Sequence, residues 1–252
     1  KNSAIKIKEL FKISPFGTIS MFCTGFVLAP IFSLLSVYAV TMKLSIFETS
    51  LLLVGVMLAG ALFQWPIGSL SDKYDRRKIM IGSSLAAIIF SISAIFASGV
   101  GNSLPNLFAE STVSFNYFST VMDKSRLFIF IILLAGVTLP LFSLNLALVN
   151  DYIPKEKFVA AGSGLNIIFG LGAMAGPIMC SILMHFLGPN GFFIHISIFL
   201  IVIIVFGFYG LSQREIENNP ESTFTPLPTT ITPLGIELDP ETGVDLSNTE
   251  EK

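Results

Sequence analysis

The chain has 252 residues, 52% of them hydrophobic and only 13% charged, with a formal net charge of −2. A water-surrounded domain carries about 25% charged residues, so composition excludes an ordinary soluble globule. The slight acidic balance excludes a phosphate-collecting basic field of the kind nucleic acids need.

The first segment, residues 1–14, sets Ile5, Ile7, Leu10 and Phe11 among Lys1, Lys6, Lys8 and Lys12. It reads either as a short interfacial helix or as a solvated cytoplasmic linker. Six apolar stretches follow, at 15–41, 47–68, 79–97, 127–149, 158–187 and 191–211. Each approaches the roughly 20 residues that a helix needs to cross a hydrocarbon core. With no water to satisfy backbone groups there, the runs are predicted to be helices, and none alternates as a membrane barrel strand does. The predicted fold class is an all-α membrane protein with a six-helix bundle over residues 15–211. Cys23 and Cys180 lie inside apolar runs with no metal-type spacing, and read as small packing residues. No metal or cofactor site is expected.

Lys and Arg in the connections set the direction. Twelve of the fifteen fall on one side of a six-span arrangement, and only Lys43, Lys124 and Arg126 on the other. Both chain ends are therefore expected at the cytoplasm, with residues 98–125 forming a long outer loop. The tail over residues 212–252 is rich in Pro, Thr and acid with no apolar period, and is expected to be mostly disordered. Glu48 is placed to favour the start of the second span. Asn150 and Asp151, before Pro154, read as turn chemistry at the end of the fourth. His185 and His195 lie near the outer ends of the last two spans and read as interfacial.

The most specific pattern is the connection Gly68-Ser69-Leu70-Ser71-Asp72-Lys73-Tyr74-Asp75-Arg76-Arg77-Lys78. Glycine is expected to end the span, and Asp72 to sit at a helix entrance, where a carboxylate meets unpaired amides and the positive helix end. The connection resembles the signature cytoplasmic loop of the major facilitator superfamily, Gly-x-Leu-Ala-Asp-Arg-x-Gly-Arg-Arg/Lys. Gly68, Leu70, Asp72, Arg76 and Arg77 match, Lys73 keeps the charge of the usual Arg, and Asp75 replaces the second Gly. The fifth span adds Gly172, Gly176 and Pro177, a small-xxx-small spacing followed by a kink residue. That order is similar to the family's Gly-Pro pattern in helix eleven.

The resemblance implies that the six spans are helices seven to twelve of a twelve-helix carrier, with an N-terminal six-helix half as the missing partner. The alternative, helices one to six with the tail as the central linker, fits less well, because residues 1–14 resemble the end of that linker. The implied function is secondary transport of a small molecule by alternating access, in a bilayer that is expected to be a bacterial inner membrane. Asp72 would latch onto a helix of the absent half. In such carriers the substrate lies near midplane between the halves. The polar residues of the spans that would line the cavity are Thr24, Ser33, Ser36, Tyr38, Gln64, Ser143, Asn145 and Asn166, with Asn145 and Asn166 foremost. An interhelical hydrogen bond is the competing role for each amide. No Asp, Glu, Lys or Arg lies mid-span, so this half offers no obvious proton-coupling group. An enzyme would need a reactive constellation in the spans, and none is visible. A non-transporting membrane scaffold or assembly subunit is the rival reading.

Overall fold

A computed structural model describes residues 7–98 and 115–213. The predicted tail therefore lies outside the described residues apart from its first two, as does most of the predicted outer loop. The described residues are helical and contain no strand. The helices are α1 (Ile7–Ile13), α2 (Pro15–Thr41), α3 (Ile46–Lys73), α4 (Arg76–Ala97), α5 (Phe115–Thr138), α6 (Leu141–Asn150), α7 (Phe158–Leu187) and α8 (Gly191–Gln213).

Each boundary has a local cause. Ser14 caps α2 by accepting from Gly17 N at 3.2 Å, and Pro15 follows where no donor is needed. Lys43 then takes the left-handed conformation (φ 55°), and Leu44 N closes the helix end on Ala39 O at 3.0 Å. Ser45 and Glu48 form a reciprocal capping box at the start of α3, with Ser45 N donating to Glu48 Oε2 at 2.7 Å. Gly188, at φ 67°, lets α7 double back into α8 without a Cβ penalty.

Four expectations change. Gly68 does not end its span: it is buried inside α3, which runs on to Lys73, because a helical glycine keeps its backbone hydrogen bonds. Asp72 consequently lies in the last turn of α3, not at a helix entrance. The chain turns at Tyr74, which is extended (φ −125°, ψ 160°), and Asp75 caps α4 by accepting from Arg77 N at 2.9 Å. The predicted outer loop is also shorter than 98–125, since α5 begins at Phe115. Finally, the fourth span is two helices. Pro140 has no N–H and its ring collides with the carbonyl four residues back, so the helix breaks at Leu139–Pro140 and restarts as α6.

Five described stretches are long and apolar enough to cross a membrane, and the last, Phe158–Ser212, is 55 residues long and folded at Gly188. It accounts for two passes, which brings the passes to six. The chain is an integral membrane protein of all-α class.

Helix α2 is the centre of the bundle. It is apolar on all sides and buries residues on every face as far as Ile31, which suits a helix surrounded by protein there, while Phe32, Ser33, Val37 and Val40 of its last turns are exposed. Its largest contact is with α7, and it also packs on α8 and α6. The α2–α7 crossing is a backbone contact. A Cβ at Gly172 would overlap the carbonyl oxygen of Phe22, one at Gly25 would overlap that of Phe169, and one at Gly176 would stand 3.0 Å from Phe26 Cα. Small residues at such a crossing let dispersion act between main chains, where lipid removes the hydrophobic drive. Aromatic pairs fill the α2–α8 seam: Phe26 stacks on Phe199 at 4.2 Å, and Tyr38 meets Phe193 edge-on at 5.2 Å. Helix α3 is mostly exposed, burying only Leu52, Val56, Ala59, Gly60, Gly68 and Ser71.

Candidate functional site

Charged groups gather where α3 turns into α4. The two arginines of that turn are nearly buried, Arg76 at 6% and Arg77 at 4% exposure, so each must be paired. Arg77 grips Asp75 with two nitrogens, Nε to Oδ1 at 3.2 Å and Nη2 to Oδ2 at 2.9 Å, and its Nη1 donates to Gly210 O at 2.6 Å. The fork thus ties the α4 entrance to a carbonyl in the last turn of α8. Arg76 faces two carboxylates, Asp151 at 3.4 Å and Asp72 at 3.7 Å. Asp151 caps the end of α6, so Arg76 joins the ends of α3 and α6.

The hinge therefore binds four helix ends through two guanidinium groups. Asp72, with a quarter of its side chain exposed, is the outermost carboxylate on Arg76. Leu70 and Lys73 are exposed beside it. Sequence reasoning found the arginines and Asp72 but treated Asp75 only as a departure from a pattern and Asp151 as a turn residue. An Asp directly before a helix start was the readable sign for Asp75; nothing local marks Asp151, whose partner is 75 positions away in the chain. A cavity of about 160 Å³ adjoins the hinge, lined in part by Arg77, Tyr152, Tyr209 and Ser14.

The polar residues of the spans divide into two sets. Thr24, Tyr38, Ser143 and Asn145 are buried within the bundle. Asn145 Nδ2 donates to Thr24 Oγ1 at 2.9 Å and to Leu141 O at 2.8 Å, so α6 and α2 share a hydrogen bond inside the core. Gln64 reaches from α3 to Ser143 Oγ at 3.3 Å. Ser33 is exposed, and Ser36, Gln64 and Asn166 are half-buried. Gly172 and Gly176 lie on the α2–α7 crossing, and Pro177 follows them, partly exposed.

Both cysteines are buried. His185 is exposed, but His195 is not interfacial: it is completely buried in α8, with Nε2 2.9 Å from Phe26 O. Its depth escaped sequence reading because α8 starts at Gly191 and the side chain leans inward toward the middle of α2. Among the described residues no group of His, Cys, Asp and Glu is arranged to hold a metal ion.

The profile of the Major Facilitator Superfamily matches residues 16–240. An uncharacterized MFS-type transporter of Bacillus subtilis (strain 168), YfkF, is 24% identical over 175 residues, which are 68% of this chain and 38% of that protein. A second, YE1530 of Yersinia enterocolitica, is 24% identical over 174 residues, 69% of this chain and 38% of its own length. The chain thus matches well under half the length of these curated relatives. No solved structure matches. With the profile covering the whole six-pass bundle and the charged α3–α4 turn inside it, the chain belongs to the Major Facilitator Superfamily.

Proposed function

We propose that the chain is one six-helix half of a secondary carrier that moves a small molecule by alternating access. In this reading α2, α3, α4, α5–α6, α7 and α8 are helices seven to twelve, residues 1–14 end the linker between halves, and both ends lie at the cytoplasm. The observation that carries the reading is a pair of amides, Gln64 and Asn166, half-open on α3 and α7 at membrane depth. Every long helix exposes apolar side chains suited to lipid, among them Ile89 on α4, Val205 on α8, Trp65 on α3 and Met174 on α7. Helices α2, α3 and α7 leave Ser33, Ser36, Gln64 and Asn166 at least partly open at membrane depth. Polar groups facing lipid are costly, so that side suits a second bundle and a watered cavity. Ser36 and Asn166 would then meet substrate, with the Thr24–Asn145 and Gln64–Ser143 pairs supporting them from behind.

The hinge supplies the conformational part. Arg76 and Arg77 hold four helix ends as one body, while Asp72 stands outermost and would contact a helix of the other half in the outward-facing state. Breaking that contact would open the inner gate. The test uses Asp72→Asn in the full-length protein in proteoliposomes. Slower substrate exchange and a shifted balance of inward- and outward-facing labelling are expected. Unchanged exchange together with unchanged labelling would refute the latch.

A further inference from the structure

The buried histidine of α8 answers a defect in α2. Pro30 lies inside α2 and has no N–H, so the carbonyl four residues earlier loses its helical donor. That carbonyl belongs to Phe26, and it is the one that His195 Nε2 approaches at 2.9 Å. A carbonyl oxygen only accepts, so Nε2 carries the proton. Nδ1 is buried with no hydrogen-bond partner. The ring is held in place by Phe199 at 5.0 Å, which itself stacks on Phe26 at 4.2 Å. From α7, Gly176 brings its backbone against the same break, its Cβ position lying 3.0 Å from Phe26 Cα and 3.3 Å from Pro30 Cδ. The proline break is thus covered by main chain on one side and supplied with a donor on the other.

A proline break is where a membrane helix bends, and its exposed carbonyl must be satisfied by a neighbour. We propose that His195 is a positioning residue for α2: its imidazole N–H replaces the backbone donor that Pro30 removes and thereby sets how far the outer part of α2 bends. The bond stands on the geometry alone; its bearing on gating rests on the carrier reading. Helix α2 carries Ser33 and Ser36 beyond the break, so a change of bend there re-aims the open polar face.

The test is a double-mutant cycle in the full-length protein in nanodiscs. Pro30→Ala restores the N–H for Phe26 O and should make the histidine redundant. His195→Phe keeps the ring bulk and removes the donor, whereas His195→Gln keeps an N–H at the position of Nε2. His195→Phe is expected to lower the melting temperature by about 2–4 °C, His195→Gln to restore most of it, and His195→Phe in the Pro30→Ala background to cost nothing further. Alkylation of a Ser36→Cys probe should shift about threefold with His195→Phe, the weight of a typical interhelical hydrogen bond, and return with His195→Gln. A Ser93→Cys probe on α4 should not respond. If His195→Phe alone fails to fold, a folded His195→Phe/Pro30→Ala protein is the expected rescue, and an unfolded one overturns the proposal. An equal melting loss with and without Pro30 refutes the bond, and an unmoved Ser36→Cys rate refutes the hinge role. Neither result needs a known substrate, so both are distinct from failure of the carrier reading, which Asp72→Asn reports.

Discussion

Replacing Gly172 by alanine tests the main-chain contact at the centre of the bundle. The added methyl would overlap the carbonyl oxygen of Phe22, stand 3.2 Å from its carbonyl carbon and 3.3 Å from Gly25 Cα. All three are backbone atoms and cannot rotate aside. A carbon needs about 3.3 Å or more from a carbonyl oxygen, so α2 and α7 must part by about 1 Å. A gap of that size forfeits about a quarter to a half of each dispersion contact along the seam. Overpacking of this kind costs about 1–3 kcal/mol, which corresponds to a melting temperature lower by about 2–12 °C. A fluorogenic thiol dye can follow the melt, because Cys23 and Cys180 are both buried until the bundle opens. Gly82→Ala is the control, since nothing lies within 4 Å of a Cβ there and alanine favours helix. If Gly172→Ala melts with the parent, or if Gly82→Ala falls equally, the argument for a backbone-to-backbone crossing is wrong.

Two further outcomes follow from the polar contacts. Asp151→Asn removes the nearer charge on nearly buried Arg76 and should destabilise the detergent-solubilised protein by about 3–5 kcal/mol at most; a melting temperature within 1–2 °C of the parent, about half a kcal/mol, would show that Arg76 does not depend on it. Ser45→Ala should cost about 1 kcal/mol by uncapping α3, whereas Lys124→Ala, which breaks a half-exposed 3.2 Å pair with Glu48, should cost less than the lost cap, because water screens the pair. The reverse order in thermal melts would contradict the capping assignment.

The helices were legible because lipid imposes length and backbone closure on any apolar run, and 15–41, 158–187 and 191–211 were read nearly to the residue. Glycine was misleading. At Gly68 it signalled a helix end by the habits of soluble proteins, but in a membrane helix it serves close packing and the chain runs on. Pro140 carried a clear signal that the uniform hydropathy of 127–149 obscured. The Ser45–Glu48 box was half-readable from its spacing. The pairs Arg76–Asp151, Asn145–Thr24 and His195–Phe26 were not readable, because each joins positions 75 or more residues apart in chain order. For Asn145, composition alone left substrate contact and interhelical bonding both open, and burial decides which groups it meets within this bundle.

The Arg77–Gly210 bond also limits how the protein can be shortened. A truncation ending before Gly210 would keep nearly all of the apolar length of α8 yet strip a guanidinium at 4% exposure of its carbonyl acceptor. The defect would appear in the neighbouring helix, as a loosened entrance to α4. The shortest stable version of this bundle is therefore fixed by one oxygen atom in the final turn of α8, while the hydrophobic span alone would permit an earlier stop.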